Sequence, residues 1–307
     1  MGSLTGMTSP SAPFGRVLTA MVTPFTAEGR LDLDGAAALA TALVDGGNDG
    51  LVISGTTGEA PTTSDAEKGD LLRAVVDAVG DRATVVAGVG TNDTAHSTGL
   101  AQEAAKAGAH ALLLVTPYYN KPPQAGVVAH VEQVVGATDL PVMLYDIPGR
   151  SGIPLETATI LALARHPQVV ALKDAKLDLE ATSWVLRETD LAYYCGHDPW
   201  TLPMLAIGAV GVVGTSTHFT AAATGRLIAA HLAGDVDTAR RLHAGLLPAY
   251  SGIFRTQGTI LVKAGLRELG LPAGPVRLPL VEATPEQVAV LRSDLAGAGV
   301  ELDRVPA

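Results

Sequence analysis

Lys173 has the most distinctive chemical setting in this sequence. It lies within the apolar run VVALKDA, residues 169–175, whose β-branched residues are typical of a buried strand. Burial disfavours the charged ammonium, so the pKa of such a lysine falls toward the range in which its neutral amine is a nucleophile. The alternative is a buried lysine paired with a carboxylate, but Asp174 follows it directly and therefore points to the opposite face of the strand. We predict that Lys173 forms a Schiff base.

Lys263 is expected to be an ordinary surface residue. It lies in a stretch with helical periodicity, where the apolar stem of a lysine carries its ammonium to solvent. Lys173 is thus the one lysine that interrupts a predicted strand.

Tyr145 lies near the end of another apolar run, LPVMLYDIP, residues 140–148. Taken alone it would be a core aromatic residue with a solvated hydroxyl. A position beside Lys173 changes that interpretation, because a phenol there can give and take the protons that Schiff-base formation requires. We therefore predict a proton-transfer role for Tyr145.

Two threonines follow a third apolar run, GLVISG, and are flanked by Gly55 and Gly58. They are acceptable as ordinary turn residues. Bare glycines, however, let backbone N–H groups approach an anion closely, and the hydroxyls of Thr56 and Thr57 add two further donors. We predict that this loop binds a carboxylate.

Arg150 follows a Pro-Gly turn after the run that contains Tyr145. Most arginines in such places are solvated surface charges. The turn fixes the backbone here, and a planar guanidinium suits the bidentate binding of a carboxylate. Arg150 is predicted to bind the carboxylate of a second substrate.

These residues need a scaffold that brings several strand ends together. Short apolar runs alternate with helical patterns along most of the chain, which is typical of a parallel sheet with crossover helices. The runs begin near Val17, Gly50, Ala83, Ala111, Leu140, Val169, Leu191 and Gly208. Eight such units predict a (β/α)8 TIM barrel, whose active site lies at the carboxyl ends of the strands.

The chain divides into three predicted segments. Residues 1–14 are small and polar at first and are expected to form a disordered leader, and residues 15–233 are expected to form the catalytic barrel. Residues 234–307 lack the strand pattern and predict a C-terminal helical extension, with helices at Val236–Leu247, Tyr250–Leu269 and Pro285–Ala296.

Composition argues against several other classes of protein. The formal net charge is -10 with no basic run, which disfavours nucleic-acid binding, and no apolar run is long enough to span a membrane. A single cysteine, Cys195, leaves no internal disulfide, so we expect a cytoplasmic protein.

Metal and dinucleotide chemistry are also disfavoured. The histidines are scattered without a close pair on one strand, which argues against a metal-dependent aldolase. Gly88-Val89-Gly90 lacks the third glycine of a dinucleotide-binding turn. We expect no metal and no cofactor.

Four motifs together resemble the signature set of the dihydrodipicolinate synthase family, which belongs to the pyruvate-dependent class I aldolases. They are GTTGE at 55–59, TPYYNKP at 116–122, YDIPGR at 145–150 and LKDA at 172–175. The resemblance runs from about Gly15 to the C-terminus. It implies a lyase of the hydro-lyase class that condenses pyruvate with L-aspartate 4-semialdehyde in lysine and diaminopimelate biosynthesis.

The resemblance also implies roles for individual residues. The Schiff-base lysine of the family falls on Lys173, the proton-relay tyrosine on Tyr145, the pyruvate-carboxylate loop on Thr56 and Thr57, and the semialdehyde-binding arginine on Arg150. The pocket for the pyruvate methyl group falls near Val213.

Tyr119 falls on the residue that crosses a subunit boundary and completes a neighbour's relay with Thr57. The resemblance therefore implies an obligate dimer, and usually a dimer of dimers.

Alternatives remain on the same scaffold. N-acetylneuraminate lyase and the 2-keto-3-deoxy sugar acid aldolases share the lysine and tyrosine, but typically have serine in place of Thr56 and lack Arg150. A non-catalytic paralogue that senses a small acid is a third possibility. The sequence departs from the synthase pattern at Asp146, His197 and Gly214, which leaves the aldehyde specificity open.

A further departure concerns feedback by lysine. In lysine-inhibited members, the positions of Asp65, Lys68 and His96 are generally histidine, histidine and glutamate. His96 offers no carboxylate to the lysine ammonium, and Lys68 repels it. This departure from the lysine-inhibited members predicts weak or absent inhibition by lysine.

Overall fold

Parallel strands pair with one another in chain order, and the first strand pairs with the last to close a barrel. The computed structural model describes residues 11–302. Within them the barrel strands are β1 (Val17–Ala20), β2 (Gly50–Ile53), β3 (Thr84–Gly88), β4 (Ala111–Val115), β5 (Val142–Asp146), β6 (Val169–Asp174), β7 (Ala192–Cys195) and β8 (Gly211–Gly214). The predicted TIM barrel is confirmed, and each strand begins within three residues of the predicted start.

Alternation along the strands builds two separate cores. In β3, Val85 and Ala87 pack outward with the helices, whereas Val86 between them packs inside the barrel. Strands buried on both faces read as continuous apolar runs, which is why they were visible in the sequence. The same alternation places Tyr145 in the inner core.

Helices surround the barrel and follow each strand. In chain order they are α1 (Leu33–Asp45), α2 (Asp65–Val79), α3 (Thr94–Lys106), α4 (Gln124–Val135), α5 (Pro148–Ser151), α6 (Thr157–Leu163), α7 (Leu179–Glu188), α8 (Thr201–Ala206), α9 (Thr217–Leu232), α10 (Val236–Ile253), α11 (Gly258–Glu268) and α12 (Pro285–Gly297). Helix α2 begins with a capping box, in which Ser64 and Glu67 each bond to the other's backbone.

The segment before β1 covers the amino-terminal end of the barrel. Phe14 is 3% exposed, and its N–H donates to the hydroxyl of Tyr194 at 3.2 Å. That hydroxyl in turn donates to the Gly15 carbonyl at 2.9 Å. The expectation of a leader through residue 14 is therefore wrong at Phe14, and its residues 1–10 lie outside the described residues.

Three helices follow the barrel, but their bounds differ from the prediction. Helix α10 runs through Pro248 to Ile253, where the sequence predicted a break after Leu247. Its apolar stripe continues across the proline, because Leu246, Ala249 and Ile253 are all buried on one face. That burial offsets the backbone hydrogen bond that proline cannot donate. Residues 303–307 of the predicted extension lie outside the described residues.

Candidate active site

A cavity of about 870 Å³ opens at the carboxyl ends of β2 to β5. It brings together four of the residues singled out in the sequence, which are Thr56, Tyr119, Tyr145 and Arg150. Its position at the top of the barrel is the one that the fold uses for catalysis.

Lys173 on β6 lies against Tyr145 on β5. The two residues are register partners, so their side chains share a face of the barrel. The Lys173 ammonium nitrogen Nζ is 4.3 Å from the centre of the Tyr145 ring, and the lysine is only 6% exposed. Within residues 11–302 this nitrogen has no carboxylate within ion-pair distance. The predicted juxtaposition of the two side chains is confirmed.

Burial lowers the pKa of Lys173 to about 8. Desolvation is the main cause, and the positive charge of Arg150 adds to it, while the negative charge of Asp198 acts in the opposite sense. A lysine with this pKa has a substantial neutral fraction near neutral pH. Lys173 can therefore act as a nucleophile.

Burial has the opposite effect on Tyr145, because its neutral form is the protonated one. Desolvation raises the pKa of its phenol to about 12, and Arg150 opposes that rise. Tyr145 is therefore protonated at neutral pH and can donate a proton next to the amine of Lys173.

Asp174 lies on the outer face of β6, as the alternation predicted. One carboxylate oxygen accepts the N–H groups of Lys176 at 2.8 Å and Leu177 at 3.0 Å, and the other accepts the Thr182 hydroxyl at 2.8 Å. The carboxylate fixes the turn after β6 and does not pair with Lys173.

Asp198 is a buried carboxylate to which sequence reasoning assigned no role. It follows β7, is 2% exposed and accepts hydrogen bonds from the N–H groups of Thr215 and Ser216 and from the Ser216 hydroxyl. Its charge acts on the amine of Lys173. The signal was available, because Asp198 is a polar residue at the end of a barrel strand.

The loop after β2 exposes Thr56 and leaves Thr57 half-buried. Among residues 11–302, the backbone N–H groups of both threonines donate to no protein acceptor and are free to bind a ligand. The Thr57 hydroxyl lies 3.5 Å from that of Thr215. A Cβ on Gly58 would lie 3.0 Å from the Met21 carbonyl, so a side chain there would crowd the neighbouring backbone.

Tyr119 is 87% exposed, although it contributes to the rim of the cavity. Its backbone φ of 74° is unusual for a bulky residue, and its N–H donates to the Ser151 carbonyl at 3.2 Å. No hydrogen bond joins Tyr119, Thr57 and Tyr145 within the described chain. A single chain therefore does not assemble the relay that the sequence resemblance implied.

The three departures from the synthase pattern do not line the cavity. Asp146 accepts the Leu155 N–H at 3.1 Å, and burial raises its pKa to about 7. The His197 ring lies 6.4 Å from that of Phe254. Gly214 leaves room for Asp198, since a Cβ there would lie 2.7 Å from its carboxylate.

Val213, predicted near the pyruvate methyl group, is 1% exposed within the inner core of the barrel. It packs in the same cluster as Tyr145 and is not on the cavity wall.

The expectation for Lys263 is wrong. Its side chain is fully buried, and its Nζ lies 2.6 Å from a carboxylate oxygen of Glu59, which is also buried. The ion pair joins helix α11 to the loop after β2. Sequence reasoning missed it because the two residues are far apart in the chain and neither position shows its partner.

The three residues tied to the lysine prediction lie together beside the cavity. The His96 ring lies 2.9 Å from the Asp65 carboxylate, and the Lys68 Nζ lies 3.6 Å from it. All three side chains line the cavity. The one carboxylate of this group already has two basic partners.

Residues 11–302 contain no group of three or more histidine, cysteine, aspartate or glutamate side chains that is placed to hold a metal ion. No helix in this part of the chain has the length and apolar character needed to cross a membrane.

Relatives with a shared name match almost the whole chain. A 4-hydroxy-tetrahydrodipicolinate synthase of Acidothermus cellulolyticus is 71% identical over 94% of this chain and 94% of its own. A second protein of that name, from Streptomyces coelicolor, is 60% identical over 96% and 98%.

Solved structures agree with the sequence relatives. The synthase of Cyanidioschyzon merolae with lysine bound superposes with a TM-score of 0.91 at 41% identity, covering 93% of this chain and 98% of its own. The Acinetobacter baumannii enzyme complexed with pyruvate gives 0.89 at 31% identity, covering 94% and 99%. A variant described as monomeric also gives 0.89, at 33% identity over 94% and 99%.

The family model described as the dihydrodipicolinate synthetase family matches residues 13–298. That range contains the barrel, the cavity and Lys173 with its tyrosine. The chain belongs to the dihydrodipicolinate synthetase family.

Proposed function

We propose that the chain is a 4-hydroxy-tetrahydrodipicolinate synthase that joins pyruvate to L-aspartate 4-semialdehyde through a Schiff base on Lys173. The observation that carries the mechanism is the amine of Lys173, buried without a carboxylate partner within residues 11–302 and 4.3 Å from the ring centre of Tyr145. The relatives of that name support the reaction, and the pyruvate complex of a matched structure supports the first substrate.

The first half of the cycle builds a nucleophile from pyruvate. The neutral amine of Lys173 attacks the ketone carbon, and Tyr145 protonates the hydroxyl of the carbinolamine as it leaves as water. The resulting iminium acidifies the methyl group, which loses a proton to give an enamine. The negative charge of Asp198 favours the positively charged iminium.

The second half forms the carbon–carbon bond and releases the enzyme. The enamine carbon attacks the aldehyde carbon of the semialdehyde, whose oxygen takes up a proton. The amino group of that substrate then attacks the iminium carbon and displaces Lys173, which closes the ring. The water lost in the first half is the water of the net reaction.

Binding of the two carboxylates is assigned to two sides of the cavity. Thr56 and Thr57 offer free N–H groups and hydroxyls for the carboxylate of pyruvate. Arg150 is exposed at the cavity wall and would bind the carboxylate of the semialdehyde as a bidentate partner.

A second copy of the chain would complete the proton relay. Tyr145 has to regain the proton that it donates, and we assign this step to Thr57 and to the Tyr119 of a partner. The high exposure of Tyr119 in one chain supports this arrangement. We infer a dimer as the active unit and a dimer of dimers as the assembly, acting in the cytoplasm.

Borohydride trapping tests the central step. Reduction in the presence of pyruvate should add a three-carbon acid to the peptide that contains Lys173, and an unmodified peptide contradicts the mechanism. Activity with the semialdehyde, measured beside cleavage of N-acetylneuraminate and 2-keto-3-deoxygluconate, separates the synthase from its sister aldolases.

A further inference from the structure

The loop that carries Thr56 and Thr57 is held in an unfavourable backbone conformation. Ser54 at its start has φ 57° and Glu59 at its end has φ 56°, both in the left-handed region that residues other than glycine seldom occupy. Such a conformation persists only where surrounding contacts enforce it.

Glu59 receives its contacts from the C-terminal part of the chain. Its carboxylate lies 2.6 Å from the Nζ of Lys263 and accepts the backbone N–H of Arg277 at 2.8 Å. Lys263 also donates to the Pro275 carbonyl at 2.7 Å. The carboxylate is therefore held by α11 and by the segment that follows it.

The ion pair between Glu59 and Lys263 lies next to a buried aromatic ring. Phe25 is 2% exposed, with the Lys263 Nζ 4.2 Å and the Arg277 guanidinium 4.0 Å from its ring centre. Arg277 also pairs with Glu67 at 2.5 Å, which ties the assembly to α2. Contacts of cations with an aromatic face and with a carboxylate are attractive where exposure is low, so they stabilise the positions of Lys263 and Arg277.

A second contact reaches the loop at its centre. The buried hydroxyl of Thr259, on the first turn of α11, donates to the backbone carbonyl of Thr57 at 3.1 Å. That carbonyl belongs to the peptide that follows Thr57, so the bond fixes the orientation of the loop beside the free N–H groups.

We propose that Glu59, Lys263 and Thr259 are positioning residues for pyruvate. They act through the loop backbone, keeping the N–H groups of Thr56 and Thr57 aimed at the carboxylate of the substrate. None of the three touches the reacting atoms. This inference rests on the proposed function.

Thr259→Val is the sharper test, because it removes one hydroxyl and keeps the shape of the side chain. The KM for pyruvate should rise about fivefold, in line with one neutral hydrogen bond, while the KM for the semialdehyde stays within twofold. Lys263→Met should raise the KM for pyruvate by about tenfold or more, since a hydrogen bond to a charged group is stronger.

Thr159→Val is the matched control. Thr159 is a buried threonine on α6 whose hydroxyl donates to Gln124 at 2.6 Å, outside the cavity. It should leave both KM values unchanged. A merely structural role for Thr259 would lower the folded fraction and leave the KM for pyruvate as in the control.

The outcomes separate this inference from the proposed function. If the wild-type chain forms no borohydride adduct with pyruvate, the proposed function fails. If it forms the adduct and Thr259→Val keeps the wild-type KM for pyruvate, or raises both KM values equally, the positioning role is overturned. Should Lys263→Met not fold, Thr259→Val alone decides.

Discussion

Two lysines of this protein are buried, and they differ in what surrounds them. Burial lowers the pKa of each to about 8, although Lys263 has the carboxylate of Glu59 to oppose the shift. Lys173 faces an aromatic ring inside the barrel, whereas Lys263 is locked into an ion pair on a helix. A depressed pKa therefore does not by itself identify a nucleophile. The lack of a carboxylate partner within residues 11–302, beside the Tyr145 ring, is what distinguishes Lys173 as the proposed nucleophile.

Replacing each lysine in turn should give the largest contrast. Lys173→Ala removes the proposed nucleophile, so we expect kcat to fall by roughly 10⁴-fold or more. Lys263→Met is expected to keep a measurable kcat with a raised KM for pyruvate. Steady-state kinetics on both folded variants checks this, and undiminished turnover by Lys173→Ala contradicts the mechanism.

Stability should respond in opposite directions. Lys263→Met leaves Glu59 buried without its cation and should lower the free energy of unfolding by about 3–5 kcal/mol. Lys173→Met removes an amine that burial has shifted from 10.5 to about 8. Lys173→Met should therefore raise the free energy of unfolding by up to about 3 kcal/mol at pH 7. Denaturant unfolding measures both, and two losses of equal size would erase the distinction.

Tyr145→Phe separates the ring from its hydroxyl. The ring remains beside Lys173, but the proposed proton donor is lost, so kcat should fall by about 10²-fold with little change in the KM for pyruvate. Tyr194→Phe is the control, because its hydroxyl lies at the opposite end of the barrel. A kcat unchanged by Tyr145→Phe would assign the tyrosine to packing alone.

The pH dependence should report Lys173 and not Lys263. Below a pKa of about 8 the free enzyme carries a protonated Lys173, which is not nucleophilic. The kcat/KM for pyruvate should therefore fall about tenfold per pH unit on the acid side and level off above pH 8. Lys263→Met, which removes the other lysine whose pKa burial lowers to about 8, should show the same inflection. A flat profile between pH 6 and 9 would contradict the assignment.

The smallest effect is expected from added lysine. Lys68 repels the ammonium of a ligand, and Asp65 is already bound by His96. Sub-millimolar lysine should change the initial rate by less than about twofold, because the site, in the described part of the chain, has no free carboxylate to bind the ammonium of lysine. Clear inhibition in that range would show that the site still accepts a cation.

Much of the fold follows from local patterns. The runs at Val17, Gly50 and Val169 begin where the strands begin, because strands buried on both faces leave a continuous apolar signal. The Ser64 capping box could also be predicted, because its two partners are only three residues apart in the sequence. The position of Lys173 within a strand also revealed its burial.

Long-range contacts explain what sequence reasoning missed. The burial of Lys263 depends on Glu59, some 200 residues earlier, so local periodicity predicted only an ordinary helix. The passage of α10 through Pro248 depends on packing that continues beyond the proline. Phe14 was assigned to a leader because its partner, the Tyr194 hydroxyl, comes from β7.

The link between Glu59 and Lys263 also orders events during synthesis. A chain leaves the ribosome amino-terminal end first, so all eight strands emerge before α11 and the Arg277 segment. Until α11 and the Arg277 segment have emerged, the loop after β2 lacks the contacts of Glu59 with Lys263 and with the Arg277 N–H. We therefore expect a nascent barrel to bind keto acids poorly until α11 and the Arg277 segment have emerged.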